Sequence, residues 1–379
     1  MLSYEAMMFL GLIAALYVTA ALIKKLKPSL AKRIGLAFEG PAIMIKTTAL
    51  NPYISAIGRK YRRLWSIYGI ISIIAGLVLA AYGVYVLHVN AWLLLRGAAG
   101  AAPTHPVIPG VTVSFEALPY VAFACFLALV PHELTHGFLV AAEKIKIRTS
   151  GVLLFLFIPG GFVEPDEDEL EKAPPLSQFK IYASGTFTNF LTALMVAVIS
   201  LAVLVPSGVI VRGTLPGTPA SKALREGDVV IALNGTEIRS LIDLTRYLST
   251  TRPNDTIKVT VLREGRMINI TVKLIAHPYN STRGFIGAYF ADYFSADPQG
   301  TLLKLFWWSY VVTISVAVIN IMPIYPLDGG RILFVLLKKY VDEDLAKNIT
   351  YAITLYLVLV LFVNVALSIA RWGLRAWYP

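Results

Sequence analysis

The chain is 379 residues long, 56% hydrophobic and only 15% charged, which excludes a disordered chain or an ordinary water-soluble domain and points to a polytopic membrane protein. The formal net charge of +11 does not mark a nucleic-acid binder, because the basic residues lack aromatic interleaving and any groove-binding motif. Cys125 is the sole cysteine, so no intrachain disulfide forms. It lies two turns before His132 on the same helix face and reads as a small apolar packing residue.

Apolar runs near the ~20 residues needed to cross a bilayer occur at residues 4–23, 64–87, 118–142, 179–205, 302–322 and 351–369. The first is too long and too poor in cleavage-site features for a removable signal peptide and reads as a retained helix. Lys24, Lys25, Lys27, Lys32, Arg33, Lys46, Arg59, Lys60, Arg62 and Arg63 crowd the first connection, whereas residues 88–116 carry only Arg96. Basic and poor loops alternate, so the amino terminus is expected outside and the first loop in the cytoplasm.

The third span ends in His132-Glu133-Leu134-Thr135-His136. On a helix, positions i and i+4 share a face, so both imidazoles can close on one metal ion. Glu133 projects about 100° around the helix, beside the metal, where a carboxylate can take a proton from water. Polar and ionisable groups at membrane depth are costly unless they have a use. Within the segment 151–165, an apolar, β-prone run is followed by Pro159-Gly160-Gly161. Asp166, Glu167, Asp168, Glu169 and Glu171 form a solvated acidic loop. His88, His105 and His277 lack ligand spacing and receive no role.

Between residues 206 and 290 the pattern changes to short strands and turns. Residues 209–211 and 228–233 read as strands, the latter meeting Asn234-Gly235, a strong two-residue hairpin signal. Residues 241–248 have helical spacing, and 256–262 pairs with 267–274 as a hairpin. Residues 284–288 read as a final strand. Four of the five Asn-x-Ser/Thr sequons fall here, which suits an exterior face. After the fifth span, Pro323 and Pro326 cannot continue a helix and Gly329-Gly330 frees the backbone. Asp328 on that break can offer a carboxylate oxygen. Asn189 and Asn320 place amides inside apolar runs, where they can hold a substrate backbone, donate to an oxyanion, or bond another helix.

The His-Glu-x-x-His run in a membrane span, the GTPASKALREGDVVIALNGTEI stretch of the insert and Asn320-x-x-Pro323-x-x-Pro326-Leu327-Asp328-Gly329-Gly330 together resemble the site-2 protease family of intramembrane zinc metalloproteases. The resemblance implies His132, His136 and Asp328 as ligands of one zinc ion and Glu133 as general base. It also implies that 151–165 is a membrane-embedded β-hairpin and that Ser184-Gly185-Thr186-Phe187-Thr188-Asn189 is a G-x-x-x-N helix motif, here with threonine where many bacterial members have proline. The insert resembles a circularly permuted PDZ domain, with Gly284, Phe285, Ile286 and Gly287 as candidates for binding a peptide terminus.

The expected fold is thus a polytopic α-helical membrane protein of about six transmembrane helices, with a membrane-embedded β-hairpin and an inserted α+β PDZ-like domain. Its segments are 1–116 with two helices, 117–205 with the catalytic helix, hairpin and G-x-x-x-N helix, 206–290 as the insert, and 291–379 with the last helices and Asp328. The expected activity is zinc-dependent cleavage of transmembrane segments in membrane-protein substrates, with the amino terminus and insert outside and the active site toward the cytoplasm. The competing reading is a PDZ-type membrane receptor or chaperone with a structural zinc site, and Glu133 argues against it, since a structural site needs no base.

Overall fold

The computed structural model describes residues 4–98, 100–156 and 158–374. Residues 1–3 and 375–379, at the ends of the first and last expected segments, and Phe157 in the expected hairpin lie outside the described residues. Contacts divide the chain into two units, residues 1–197 with 305–379, and residues 198–304.

The first unit opens with α1 (Tyr4–Leu26) and the short α2 (Pro28–Arg33). Pro28 stands in the first turn of α2, where the missing N–H has no intrahelical partner to lose. Strands β1 (Leu36–Glu39) and β2 (Ala42–Thr47) follow, then α3 (Asn51–Lys60) and α4 (Arg62–Leu95). At 1.5 Å per residue α4 is about 51 Å long, well beyond a bilayer's apolar core of ~30 Å. Gly69, Gly76 and Gly83 are buried along one face of α4. A Cβ there would press on Lys180, Ile321 and Val318 in turn, so the glycine face lets other helices approach closely.

Helix α5 (Leu118–Ala142) carries the His-Glu-x-x-His run. It leads into β3 (Ile147–Phe155), β4 (Ile158–Pro165), α6 (Glu167–Lys172) and α7 (Pro175–Val203). The expected hairpin is half of a larger element. β1, β2, β3 and β4 form one antiparallel sheet in that order, with Met44 opposite Leu153 and Gly151 opposite Phe162. Among the described residues β4 pairs only with β3, and its other edge carries no strand. Asp166 N–H donates to Lys146 O, which turns even-numbered groups of β4 inward. By alternation Pro159, Gly161, Val163 and Pro165 face the open edge, where prolines are tolerated because no ladder bond is lost.

The acidic residues expected as a loop form α6, whose start is capped by the Asp166 side chain accepting from Glu169 N–H. Lys180 on α7 is 8% exposed. Its Nζ lies 3.0 Å from both Glu143 Oε1 and Ser66 Oγ, and Ser177 donates to the other Glu143 oxygen at 2.7 Å. The pair ties the start of α7 to α4 and to the end of α5.

The second unit is built on β5 (Gly208–Thr214), α8 (Pro219–Ala223), β6 (Val229–Leu233), β7 (Thr236–Glu237), α9 (Leu241–Ser249), β8 (Thr256–Arg263), β9 (Arg266–Lys273), β10 (Ile275–His277), β11 (Asn280–Phe285) and β12 (Ala288–Tyr293). The sheet runs β12-β5-β6-β8-β9 with β7 on β6. Val209, Val211, Val230, Leu233, Val259 and Val261 fill its core from alternate positions. The expected turn at Asn234-Gly235 and hairpin of residues 256–274 are present; Asn234 and Gly235 take φ of 47° and 82°, as such a turn requires. Ser240 and Asp243 close a capping box on α9. The strand expected over residues 284–288 is instead a junction. Gly284 and Phe285 end β11, Gly287 turns at φ 83°, and β12 then runs to Tyr293, three residues past the expected boundary.

The first unit is completed by α10 (Thr301–Ile321), α11 (Asp328–Leu337) and α12 (Glu343–Trp372). Among the described residues, six helices are long and apolar enough to cross a membrane, one at each expected span. Trp308 and Val312 of α10 pack with Val121, Ala124 and Cys125 of α5, so Cys125 does serve as packing.

Candidate metal centre

On α5, His132 and His136 are one turn apart with ring centroids 4.6 Å from each other. Asp328 is the first residue of α11, beyond the proline-interrupted end of α10. A Cβ on Gly329 would overlap the Ile321 carbonyl, and one on Gly330 the backbone of Ile324 and Tyr325. Only glycine lets the start of α11 fold back this closely on the end of α10, and that fold-back carries Asp328 to the histidines. Arg331 Nε donates to Pro326 O at 3.1 Å and steadies the turn.

Asp328 Oδ2 lies 3.3 Å from His132 Nε2 and 3.4 Å from His136 Nε2, and the two Nε2 atoms are 3.0 Å apart. Despite these short distances, Oδ2 is buried without a well-aligned hydrogen bond. His136 Nδ1 sits 2.7 Å from the Ile181 carbonyl, which can only accept. Nδ1 therefore carries the proton and Nε2 presents its lone pair. Electron-pair donors on three side chains converge within 4.8 Å, and such groups repel unless a cation lies among them. Two imidazoles and one carboxylate fit a zinc-type ion with a fourth position left open.

Helix α7 forms the back of the centre. A Cβ on Gly185 would stand 2.5 Å from His136 Nε2 and 2.6 Å from His132 Nε2, so the imidazoles lie directly on its backbone. Thr188 donates to Thr135 at 2.9 Å and meets the Tyr68 hydroxyl at 2.7 Å, joining α7, α5 and α4. Asn189, fully buried, places Nδ2 3.1 Å from His132 Nδ1. Asn320, also expected as a substrate-facing amide, is half-buried near the end of α10 and makes no side-chain hydrogen bond among the described residues. The two amides thus have different surroundings.

Glu133 faces the sheet. A Cβ on Gly161 would touch its Cγ at 3.0 Å, and the Val163 N–H is turned toward its carboxyl. The open edge of β4 therefore runs beside Glu133. The run 151–165 hinted at an edge, but local sequence does not show that β3 is covered by β2 and only β4 is open. The Ile181 carbonyl was equally invisible, since a backbone acceptor leaves no signature in residue type.

In the second unit, the carbonyls of Ile286 and Gly287 accept from Ala220 and Leu215 N–H, at 2.9 and 2.8 Å, while Gly284 N–H is taken by Thr251 O. The N–H groups of Ile286 and Gly287 make no backbone bond among the described residues. Ile286 itself is buried in the core, and Phe285 packs edge-on against His277.

Residues 120–363 match the family model described as Peptidase family M50. The chain is 28% identical over 279 residues, 72% of each chain, to an uncharacterised protein of Methanocaldococcus jannaschii. It is 27% identical over 138 residues, 34% of this chain and 27% of the other, to the membrane-bound transcription factor site-2 protease homolog of Arabidopsis thaliana. It is 23% identical over 250 residues, 52% of this chain and 59% of the other, to the regulator of sigma-W protease RasP of Bacillus subtilis. A solved PDZ domain of an SdrC-like protein from Listeria monocytogenes aligns with 22% of this chain and 87% of its own, at 22% identity and a TM-score of 0.21. With the family model covering well over half of its length, the chain belongs to Peptidase family M50, the site-2 proteases, and is a multi-pass membrane metalloprotease.

Proposed function

We propose that this protein is an intramembrane zinc endopeptidase that cleaves transmembrane segments of membrane proteins. One observation carries the reading: the convergent His132, His136 and Asp328 donors lie next to Glu133, and Glu133 lies next to an open strand edge. A metal, a base and a docking edge are the parts that peptide hydrolysis in a membrane needs. When bound, zinc polarises the scissile carbonyl and makes the attacking water more acidic.

The chain's own groups do the rest. Glu133 accepts the water's proton and passes it to the leaving amine. The open edge of β4, presenting Gly161 and Val163, pairs with a locally unwound substrate and satisfies backbone groups that have no water to turn to. This assigns the docking edge to β4. Leu154 and Phe155, within the expected hairpin, belong to β3, whose edges are both paired. Asn320, with its amide unengaged, donates to the oxyanion. In the insert, the N–H groups of Ile286 and Gly287, which make no backbone bond among the described residues, hold a peptide carboxylate, and β12 accepts the peptide as an added strand. The amino terminus and insert face the exterior and the metal centre lies toward the cytoplasm, in line with the basic loop at residues 24–63.

Glu133→Gln tests the activity. Turnover of membrane substrates should fall by about 10²- to 10⁴-fold while one zinc per chain is retained, and proteomics of released membrane fragments should identify the substrates. Undiminished cleavage would remove Glu133 as the base, and no cleavage by the wild type would leave a receptor or chaperone reading in its place. Cysteines at Ser221 and Ser29 test the sidedness: an impermeant reagent applied to intact cells should label the first and spare the second.

A further inference from the structure

We propose that Asn189 is a positioning residue for the metal centre, accepting the His132 Nδ1 proton through its amide oxygen and thereby holding the Nε2 lone pair toward the metal. The inference rests on the reading of His132, His136 and Asp328 as ligands.

The chemistry of the contact sets the assignment. Asn189 is fully buried on α7, and its Oδ1 has no partner while its Nδ2 lies 3.1 Å from His132 Nδ1. With nitrogen facing nitrogen, Asn189 would donate to Nδ1. The His132 proton would then sit on Nε2, aimed into the cluster of donors. A half-turn of the amide exchanges oxygen and nitrogen in nearly the same volume. The oxygen then accepts Nδ1–H and Nε2 is left with a lone pair, while the NH2 group takes the place the unpartnered oxygen had. The lone pair gained at the centre decides between the two orientations.

The second histidine supports this. His136 Nδ1 already donates to the Ile181 carbonyl at 2.7 Å, so its Nε2 is free for a metal. Ile181 and Asn189 lie eight residues apart on α7, on either side of Gly185, whose bare backbone the imidazoles touch. One helix therefore fixes both ring tautomers, one through a carbonyl of the backbone and one through a carbonyl of a side chain. Outer partners of this kind orient ligand histidines and raise their basicity. The substrate-facing role expected for Asn189 from the sequence is compatible with this one, since the turned amide keeps its NH2 group.

The test is the zinc dissociation constant of the full-length protein in detergent, measured by chelator competition. Asn189→Leu keeps the volume and removes both polar atoms, and should weaken zinc binding by 10- to 100-fold. Asn189→Asp can only accept at neutral pH, so it should bind zinc at least as tightly as the wild type. If Asn189 instead donates to Nδ1, it keeps the proton on Nε2 and opposes the metal, so Asn189→Leu would bind zinc as tightly as the wild type or more tightly, and the proposal is overturned. Weaker zinc binding in Asn189→Asp than in the wild type would also overturn it, which keeps the test open where the leucine variant fails to fold. Asp328→Ala is measured alongside. Wild-type affinity in that variant would overturn the ligand reading itself, whereas loss there with unchanged affinity in Asn189→Leu would overturn the Asn189 role alone.

Discussion

At the scale of single residues, the metal centre shows two rules in conflict. Alanine is a better helix former than glycine by about 1 kcal/mol, so Gly185→Ala should stabilise α7. A Cβ there would stand 2.5 Å from His136 Nε2 and 2.6 Å from His132 Nε2, and both rings are confined by partners on the same helix. Close approach wins over propensity. We expect Gly185→Ala to retain a folded chain and lose most of its zinc, read by metal analysis of the purified protein. Wild-type zinc content would mean that the rings can move aside. The centre was legible in sequence where its chemistry depends on residue type and spacing. Helical periodicity puts His132 and His136 on one face, and the prolines and glycines around Asp328 announce a broken helix. It was illegible where it depends on backbone or on tautomer, as with the Ile181 carbonyl.

At the scale of elements, the docking edge we propose rests on which backbone groups of β4 face away from β3. The prediction is specific to Gly161 on β4. Gly161→Pro removes the N–H that faces the open edge, while Gly161→Ala keeps it and adds only the Cβ that nears Glu133. Cleavage of a helical membrane substrate should fall about tenfold or more further in the proline variant than in the alanine variant, a difference on the order of one lost hydrogen bond in a dry site. Equal rates in the two would remove the edge-pairing step. Strands β1 and β2 were hidden because they are short and lie within a strongly basic connection, and because β2 gains its second partner from residues about a hundred positions away. Ala42 meets Phe155 and Thr47 meets Ser150, and no local pattern in residues 36–47 encodes that partner. The six long helices were readable because a continuous apolar run is itself the signal.

At the scale of the molecule, the second unit has its own core and its own electrostatic anchor. Asp228 is buried, with Arg263 Nε and Nη2 each 2.7 Å from its oxygens and Arg225 N–H at 2.8 Å. Burial pushes its carboxyl upward, but the Arg263 guanidinium and the Arg225 N–H outweigh that and hold it below the ordinary carboxylate value. A lowered folded-state pKa contributes stability that is complete above the unfolded value of about 3.9 and is lost as pH falls through the folded one. The unit should therefore resist limited proteolysis evenly from pH 8 to 5 and weaken below about pH 4. Asp228→Asn should cost about 2–3 kcal/mol at neutral pH and flatten that acid dependence. A variant as acid-sensitive as the wild type would place the titration on another group. The boundaries of this unit were read slightly short because β12 continues to Tyr293 after a glycine turn that resembles a strand's end.

If β4 is the docking edge we propose, the prolines at 159 and 165 bear on substrate choice. They close the donor track on β4 at both ends, leaving N–H groups only at Gly161 and Val163. A peptide laid along it is held over about four residues, roughly the 3.6 of a single helical turn. A substrate helix then need surrender one turn, and any longer unravelling would strand its freed amides in lipid. Selection would act on a local weak point, a glycine, asparagine or proline at the right depth, rather than on the overall fragility of the segment. Two substrates with equally stable helices would part company on the placement of one residue.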